Sequence, residues 1–274
     1  ACSKDDCINL DLISINGEKI KKGNITTILN EKAALEIKKD LDKHKKITIN
    51  DIKMSERKLK PRPPFTTASL QQAAYSSLGF SVKMTSSIAQ RLYQGMALGD
   101  GETIGLISYM RTDSTIISED ILDDIEEYVK EKYGDEYSNK KQFTTKSKKA
   151  QEAHEAIRPC DIKIRTLEDV NEITFNLQHT KIYNLIWKRT ISSQMSSAKL
   201  DNITVFIDIV DDNKTKLKYQ FISKNQKIIF DGFMKLYTPF KEDDDDSETN
   251  NTLLENINLE KGTKLKMKTI SSSE

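Results

Sequence analysis

The stretch KPRPPF, residues 60–65, holds three of the five prolines in a chain of 274 residues. Proline lacks an N–H and has a fixed φ, so neither a helix nor a central strand continues through it. The apolar period changes across this stretch. Before it, Ile8, Leu10 and Leu12 alternate with Asn9 and Asp11, the period of two expected of a half-buried strand. Asn16-Gly17 is a strong turn pair. Asn30 is placed to cap a helix over 31–44, with Ala34, Ile37 and Leu41 on one face. Ile47 and Ile49 open another strand, whose phase slips to Ile52 and Met54, as a bulge or bend would require.

After the prolines the spacing becomes helical, over 67–78 and 83–95. GMALGDGETIG (95–105) carries four of the ten glycines and reads as a loop, followed by a short strand from Ile104 to Tyr109. Ser118 is expected to cap a helix to about residue 132, with Ile121, Leu122, Ile125, Tyr128 and Val129 as its apolar stripe. A further helix covers 178–193 and holds the sole tryptophan, Trp187. Strands then return. Ile203, Val205, Ile207 and Ile209 alternate, Asp211-Asp212-Asn213 turns the chain, and Leu217, Tyr219 and Phe221 alternate on the way back. EDDDDSE (242–248) reads as an acidic exposed loop, and a last strand is expected over 263–270. The pattern predicts an α+β, multidomain chain. A discontinuous antiparallel β domain, residues 1–62 and 193–274, receives an inserted and mainly helical domain, residues 63–192.

Charged residues make up 31% of the chain, yet the net charge is only +1, so a polyanionic partner has to be held by a local patch. Cys2, Cys7 and Cys160 form no C-x-x-C pair, which argues against a zinc site or a disulfide framework and for a reducing cytoplasm. No apolar run approaches the roughly 18 residues of a membrane span. The chain opens at Ala1-Cys2 directly into a strand pattern and ends just after another strand, so it is expected to be a piece of something longer.

GLISYMRTDST (105–115) sets a phenol two residues from a guanidinium, and on an extended segment Tyr109 and Arg111 point the same way. Tyrosine, with a pKa of ~10, is a weak nucleophile unaided. A fixed cation favours the phenolate and also holds phosphoryl oxygens under attack, and the planar fork of arginine suits phosphate. A half-buried structural tyrosine at a strand end remains the alternative on these residues alone. AHEAIRP (153–159) resembles the start of a zinc-protease helix, but the second histidine that motif needs is replaced by Arg158, which excludes zinc. His154 and Arg158 either reach a phosphate from a second loop or belong to a surface turn closed by Pro159. A tyrosine recombinase does not fit, because its tyrosine comes last and its box is H-x-x-R. Lys140, Lys141, Lys146, Lys148 and Lys149, with Phe143 between them, either track a nucleic-acid backbone or form a solvated loop.

PPFTTASLQQAA (63–74), IAQRLYQG (88–95), GLISYMRTDST (105–115), QEAHEAIRP (151–159) and LIWKRTISSQM (185–195) occur together, in the order found in bacterial type IA DNA topoisomerases of the topoisomerase I branch. The chain resembles that family over nearly its whole length, most strongly from 63 to 195. Met110 fits the topoisomerase I branch, since the topoisomerase III branch usually has proline there; Ser108 departs from the common threonine. The resemblance implies that Tyr109 attacks a phosphodiester of single-stranded DNA, leaving a 5′-phosphotyrosine and a free 3′-hydroxyl while a second strand passes. It implies that Arg111 positions the scissile phosphate and that His154 contacts the DNA backbone, with Asp113 expected to orient His154 through a hydrogen bond. Gln90 and Arg158 are weaker candidates for phosphate support. By the same resemblance the β part is a hinge-like arch (domain II) and the helical part the tyrosine-bearing domain III. The family's Toprim domain supplies the acidic cluster for Mg²⁺, a lysine and a general-acid glutamate. No such D-x-D cluster is legible here, so Mg²⁺ is expected to be held outside this chain, which alone would be inactive. Expected partners are single-stranded DNA, negatively supercoiled duplex DNA and that missing Toprim domain, with no membrane, in a bacterial cytoplasm at the nucleoid. Two other readings stand beside this one: a non-catalytic single-stranded DNA-binding gate module, and a structural hinge that barely binds DNA.

Overall fold

The computed structural model describes residues 10–20, 31–43, 46–97, 103–144, 154–165, 177–210, 217–237, 252–253 and 260–266. In chain order the strands are β1 (Asp11–Ile15), β2 (Glu18–Lys19), β3 (Lys46–Thr48), β4 (Asp51–Leu59), β5 (Met96–Ala97), β6 (Thr103–Ile104), β7 (Ala198–Val210), β8 (Leu217–Phe230), β9 (Thr252–Leu253) and β10 (Lys264–Lys266). The helices are α1 (Glu31–Leu41), α2 (Thr67–Leu78), α3 (Val82–Gln94), α4 (Glu119–Tyr133) and α5 (Leu177–Ser193). The chain divides into two compact units. One comprises Ala1–Arg57, Leu200–Ile229 and Glu248–Glu274, the other Lys58–Lys199 and Phe230–Ser247.

The first unit is built on a sheet of order β2-β1-β8-β7-β4, in which β1 pairs antiparallel with both β2 and β8. The two-residue β9 adds to β8 in parallel. Asn16 and Gly17 both have positive φ, 52° and 83°, as the tight turn between β1 and β2 requires. The alternation expected through β7 and β8 holds: Val205, Ile207, Ile209, Tyr219 and Phe221 form the core with Leu41 of α1, Ile47 and Ile49. Each such side chain removed from water contributes about 1.5–3 kcal/mol. The phase slip near residue 50 marks a change of partner. β3 pairs with β10 and Ile49 N–H donates to Thr263 O, but the next amide, Asn50, donates to Phe206 O of β7, and β4 then joins the main sheet. The simple alternation expected near residues 8–12 does not extend along β1. A register shift between Leu12 and Ser14 lets Leu12 and Ile15 both pack on the core, with Ser14 buried. Asn30, residues 211–213 and residues 242–248 lie outside the described residues.

In the second unit, α2 starts from a reciprocal cap. Ser69 N–H donates to the Thr66 hydroxyl and Thr66 N–H to the Ser69 hydroxyl. Ser81 caps α3 by accepting from Met84 N–H. Ser118 precedes α4 as expected, but its hydroxyl makes no capping bond; its own N–H instead donates to Glu155 Oε1 at 2.7 Å. Leu122, Ile125 and Val129 carry the buried face of α4. α5 is buried on nearly every side, with α2 and α3 packed against it. Trp187 of α5 donates from Nε1 to Ile162 O.

Residues 230–237, which fall within the 193–274 bounds expected for the β domain, belong to this unit. Phe233 N–H donates to Ser196 O, the Phe230 ring meets Tyr137 at 4.8 Å, and Tyr237 Oη accepts from Arg189. Gly232 (φ +51°) passes so close to the backbone of Ser196 that a Cβ there would lie 2.5 Å from its carbonyl oxygen. The strand expected over Ile104–Tyr109 is shorter than its apolar run suggests. β6 pairs with β5, and among the described residues one further bridge, Ile107 with Pro159, follows. Beyond it, Ser108 uses its side chain as well as its backbone to bind the 156–158 segment.

Candidate active site

From Tyr109 to Ser114 the residues alternate in exposure: Met110, Thr112 and Ser114 are buried, while Tyr109, Arg111 and Asp113 are exposed on the other face. The buried residues fix the segment. Thr67 Oγ1 donates to Met110 O (2.8 Å) and Thr112 O (3.0 Å) and accepts from Thr112 N–H (2.9 Å), and Thr67 N–H donates to Thr112 O. The first residue of α2 therefore ties that helix to the strip carrying Tyr109 and Arg111. Thr112 and Ser114 continue the ladder, each hydroxyl accepting the amide two residues on.

A second loop, 154–160, is held alongside by Ser108. Its hydroxyl donates to Ala156 O at 2.6 Å and accepts from Arg158 N–H at 2.9 Å. Phe65, fully buried, pairs through its backbone with Ile157. This places His154 beside the tyrosine. The Tyr109 ring lies 5.3 Å from His154, tilted by 42°, and 5.3 Å from Tyr93 of α3, edge-on at 69°. Arg111, Asp113 and His154 line an open cleft of about 530 Å³ whose other wall is the start of α2, Thr66 to Ala68. The Thr66, Thr67 and Ser69 amides are already bonded within the protein, so what this wall offers an anion is the positive end of the helix dipole, with the Arg111 guanidinium lining the same cleft.

Of the six residues singled out from the sequence, four are thus brought together: Arg111, Asp113 and His154 line the cleft, and Tyr109 stands at its edge against His154. Asp113 and His154 share the cleft, but among the described residues no hydrogen bond joins them, so the expected orienting bond is not formed here. Gln90 is half-buried on α3 and does not line the cleft. Arg158 does not line it either. Its guanidinium is taken up by Glu155, at 2.6 and 3.1 Å, and by Pro159 O at 2.9 Å. Burial pushes the Glu155 carboxyl up, but the hydrogen bonds from Arg158 and Ser118 more than offset it and hold the group below its ordinary range. Arg158 therefore braces the His154 loop. Lys140, from the lysine run, is paired with Asp123 and Glu119 of α4, and Lys141 lies over the Phe143 ring; residues 145–150 lie outside the described residues. Sequence reasoning missed Thr67, Ser108 and Tyr93. The hydroxyls in PPFTTAS and LISY were visible, but nothing in their spacing names a partner more than 40 residues away.

A sequence model of the DNA topoisomerase family matches residues 7–274. The chain belongs to this family. It is 39% identical over 254 residues to DNA topoisomerase 1 of Rickettsia bellii, covering 92% of this chain and 30% of that one. Against DNA topoisomerase 1 of Xylella fastidiosa (strain Temecula1) it is 38% identical over 242 residues, covering 86% and 29%. Full-length topoisomerase I from Thermotoga maritima superposes with a TM-score of 0.68 at 31% identity, covering 89% of this chain and 36% of that one. The chain therefore spans about a third of the length of the curated family members it matches.

Proposed function

We propose that this chain is the tyrosine-bearing gate portion of a type IA DNA topoisomerase that relaxes negatively supercoiled DNA by transient single-strand cleavage and strand passage in the bacterial cytoplasm. The observation that carries this reading is the placement of Tyr109 against His154 at the edge of a cleft lined by Arg111 and the start of α2. In the proposed reaction the Tyr109 oxygen attacks the phosphorus of a single-stranded phosphodiester. Its phenolic proton leaves, the bond from phosphorus to the 3′-oxygen breaks, and that oxygen takes up a proton as a 3′-hydroxyl. The 5′-phosphate stays on Tyr109 until the hydroxyl reverses the attack. Arg111 holds the phosphoryl oxygens as charge builds on them, helped by the positive end of the α2 dipole, and His154 orients the strand from the other loop.

Mg²⁺ does not fit this cleft. Asp113 is the one carboxylate among its lining residues, beside a guanidinium, and among the described residues no group of three His, Cys, Asp or Glu is placed to hold a metal. No step is assigned to a metal here. The reading places the Mg²⁺ ligands and the general acid in a Toprim domain supplied from outside these residues, and expects little cleavage without it. A 3′-labelled single-stranded oligonucleotide keeps its label on a 5′-linked protein. Mixed with this chain, Mg²⁺ and a separately made Toprim-bearing piece of a related DNA topoisomerase 1, it is expected to yield a labelled covalent adduct under denaturing conditions. Tyr109→Phe should abolish the adduct. An undiminished adduct in that variant would overturn the assignment and leave the chain as a DNA-binding gate module.

A further inference from the structure

α3 borders a second cleft on its other side. The cleft encloses about 400 Å³ between α3 and the start of α5, and its lining includes Ser81, Lys83, Ser87, Arg91, Gln178 and His179, with no carboxylate. Lys83 and Arg91 are exposed and, among the described residues, neither forms an ion pair or a hydrogen bond. Lys83 and Arg91 thus face one concave surface whose lining holds no carboxylate. His179 is buried beside them. Burial, then the charge of Arg91, keep its pKa below the ordinary value, so the imidazole stands neutral as a hydrogen-bonding group next to a guanidinium. Val82, 57% exposed, and Leu177, 68% exposed, are each adjacent in sequence to a lining residue. Two exposed cations in a groove lined by no carboxylate match the phosphates of a single strand.

α3 also relates the two clefts. Tyr93, which meets Tyr109, lies two residues beyond Arg91, about 200° around the helix. Lys83 lies roughly 15 Å back along the axis. We propose that this second cleft binds the phosphodiester backbone of single-stranded DNA a few nucleotides from the cut. The proposal rests on Tyr109 as the nucleophile for its position relative to the cut, but not for binding itself.

The test is equilibrium binding of fluorescent oligothymidylates to the chain between 50 and 200 mM salt. The comparison is with Lys83→Gln/Arg91→Gln and with a control that removes the same charge from exposed positions elsewhere, Lys261→Gln/Lys264→Gln. The cleft variant should flatten the slope of log affinity against log salt by about 1.4, from two lost phosphate contacts at ~0.7 each, and weaken low-salt binding about tenfold. The control should change the slope by less than half as much. Equal effects of the two double variants, or none from the cleft variant, would overturn the proposal even if Tyr109 forms the adduct. In the adduct assay, extending the oligonucleotide on one side of the cut, 5′ or 3′, should raise the yield for the parent but not for the cleft variant. No gain from either extension would overturn the placement. A slope change without any Tyr109 adduct would leave the cleft standing and remove the proposed nucleophile.

Discussion

At the scale of single residues, the proposed reaction distinguishes groups that would touch the phosphate from groups that hold the site together. Arg111 lies on the exposed face with Tyr109 and lines the cleft. Arg111→Lys keeps the charge but loses the planar fork. It is expected to slow adduct formation by about 10²–10³, the range for removing one stabilising donor, with the melting temperature unchanged. A rate within threefold of the parent would show that the guanidinium does not meet the phosphate. Arg158 should behave in the opposite way. Arg158→Gln breaks its bonds to Glu155 and Pro159 and leaves Glu155 half-buried with Ser118 as its remaining partner among the described residues. The expected loss is about 1–3 kcal/mol of stability in urea unfolding, with single-strand affinity unchanged in the folded protein. Tyr109 and Arg111 were legible in the sequence because a phenol and a guanidinium two apart on an extended strip have to share a side. The bracing role of Arg158 was not, because its partner Glu155 is just as plausible on a bare surface turn.

At the scale of elements, the site depends on how α2 begins. Thr67 is bound to both Met110 and Thr112, so the helix N-terminus and the Tyr109 strip form one piece. Thr67→Val keeps the shape and removes the hydroxyl. About 1–3 kcal/mol should be lost in urea unfolding, and adduct formation should fall as well, because the cleft wall and the tyrosine strip are no longer joined. Loss of stability with an undiminished adduct would show that this joint does not position the site. The helices α2 and α3 were readable from the change of period after the prolines; the reciprocal cap of α2 by Thr66 and Ser69 was not read there. The segment between Ile104 and Tyr109 was misjudged as a strand because its apolar run is real, but its hydrogen bonds go to the 156–160 loop and to Leu92 O, not to a long partner strand. The slip at Ile49–Ile52 was seen in the sequence. That it marks a change of sheet could be learned only from where the amides of Ile49 and Asn50 point.

At the scale of the whole molecule, the β-rich unit carries its own pH dependence. Asp40 of α1 accepts hydrogen bonds from Lys218 at 2.6 Å, Tyr219 Oη at 2.8 Å and Lys43 at 3.1 Å. The bond from Lys218 leads in holding its carboxyl well below the ordinary value of 3.8, against the cost of burial. Burial first, then the bond to Asp40, push the Tyr219 phenol up to about 12. A depressed carboxylate stabilises the fold in full above its unfolded pKa of about 4 and loses that contribution as pH falls toward the folded value. A raised phenol stabilises below its unfolded pKa of about 10, and that contribution is lost as pH rises toward 12. The urea midpoint followed by far-UV circular dichroism should therefore be flat from pH 5 to 9 and fall on either side. Asp40→Asn should lower the plateau and flatten the acid limb; an acid limb identical to the parent's would show that another group controls it. The alternation of β7 and β8 made this unit's core visible in advance, whereas the joining of Asp40 to Lys218 and Tyr219 spans more than 170 positions and leaves no local trace.

The account turns on which oxygen becomes bonded to phosphorus, and Tyr93, 5.3 Å from Tyr109, is the nearest rival. Trypsin leaves both tyrosines on one peptide, residues 92–111. The decisive measurement is tandem mass spectrometry of that peptide from the nuclease-trimmed adduct, formed with the Toprim-bearing piece and Mg²⁺. Fragment ions should place the nucleotide mass on Tyr109 and leave the ions ending before Ser108 unmodified. A nucleotide mass on Tyr93, or on a peptide that contains neither tyrosine, would contradict the assignment of Tyr109 as the nucleophile.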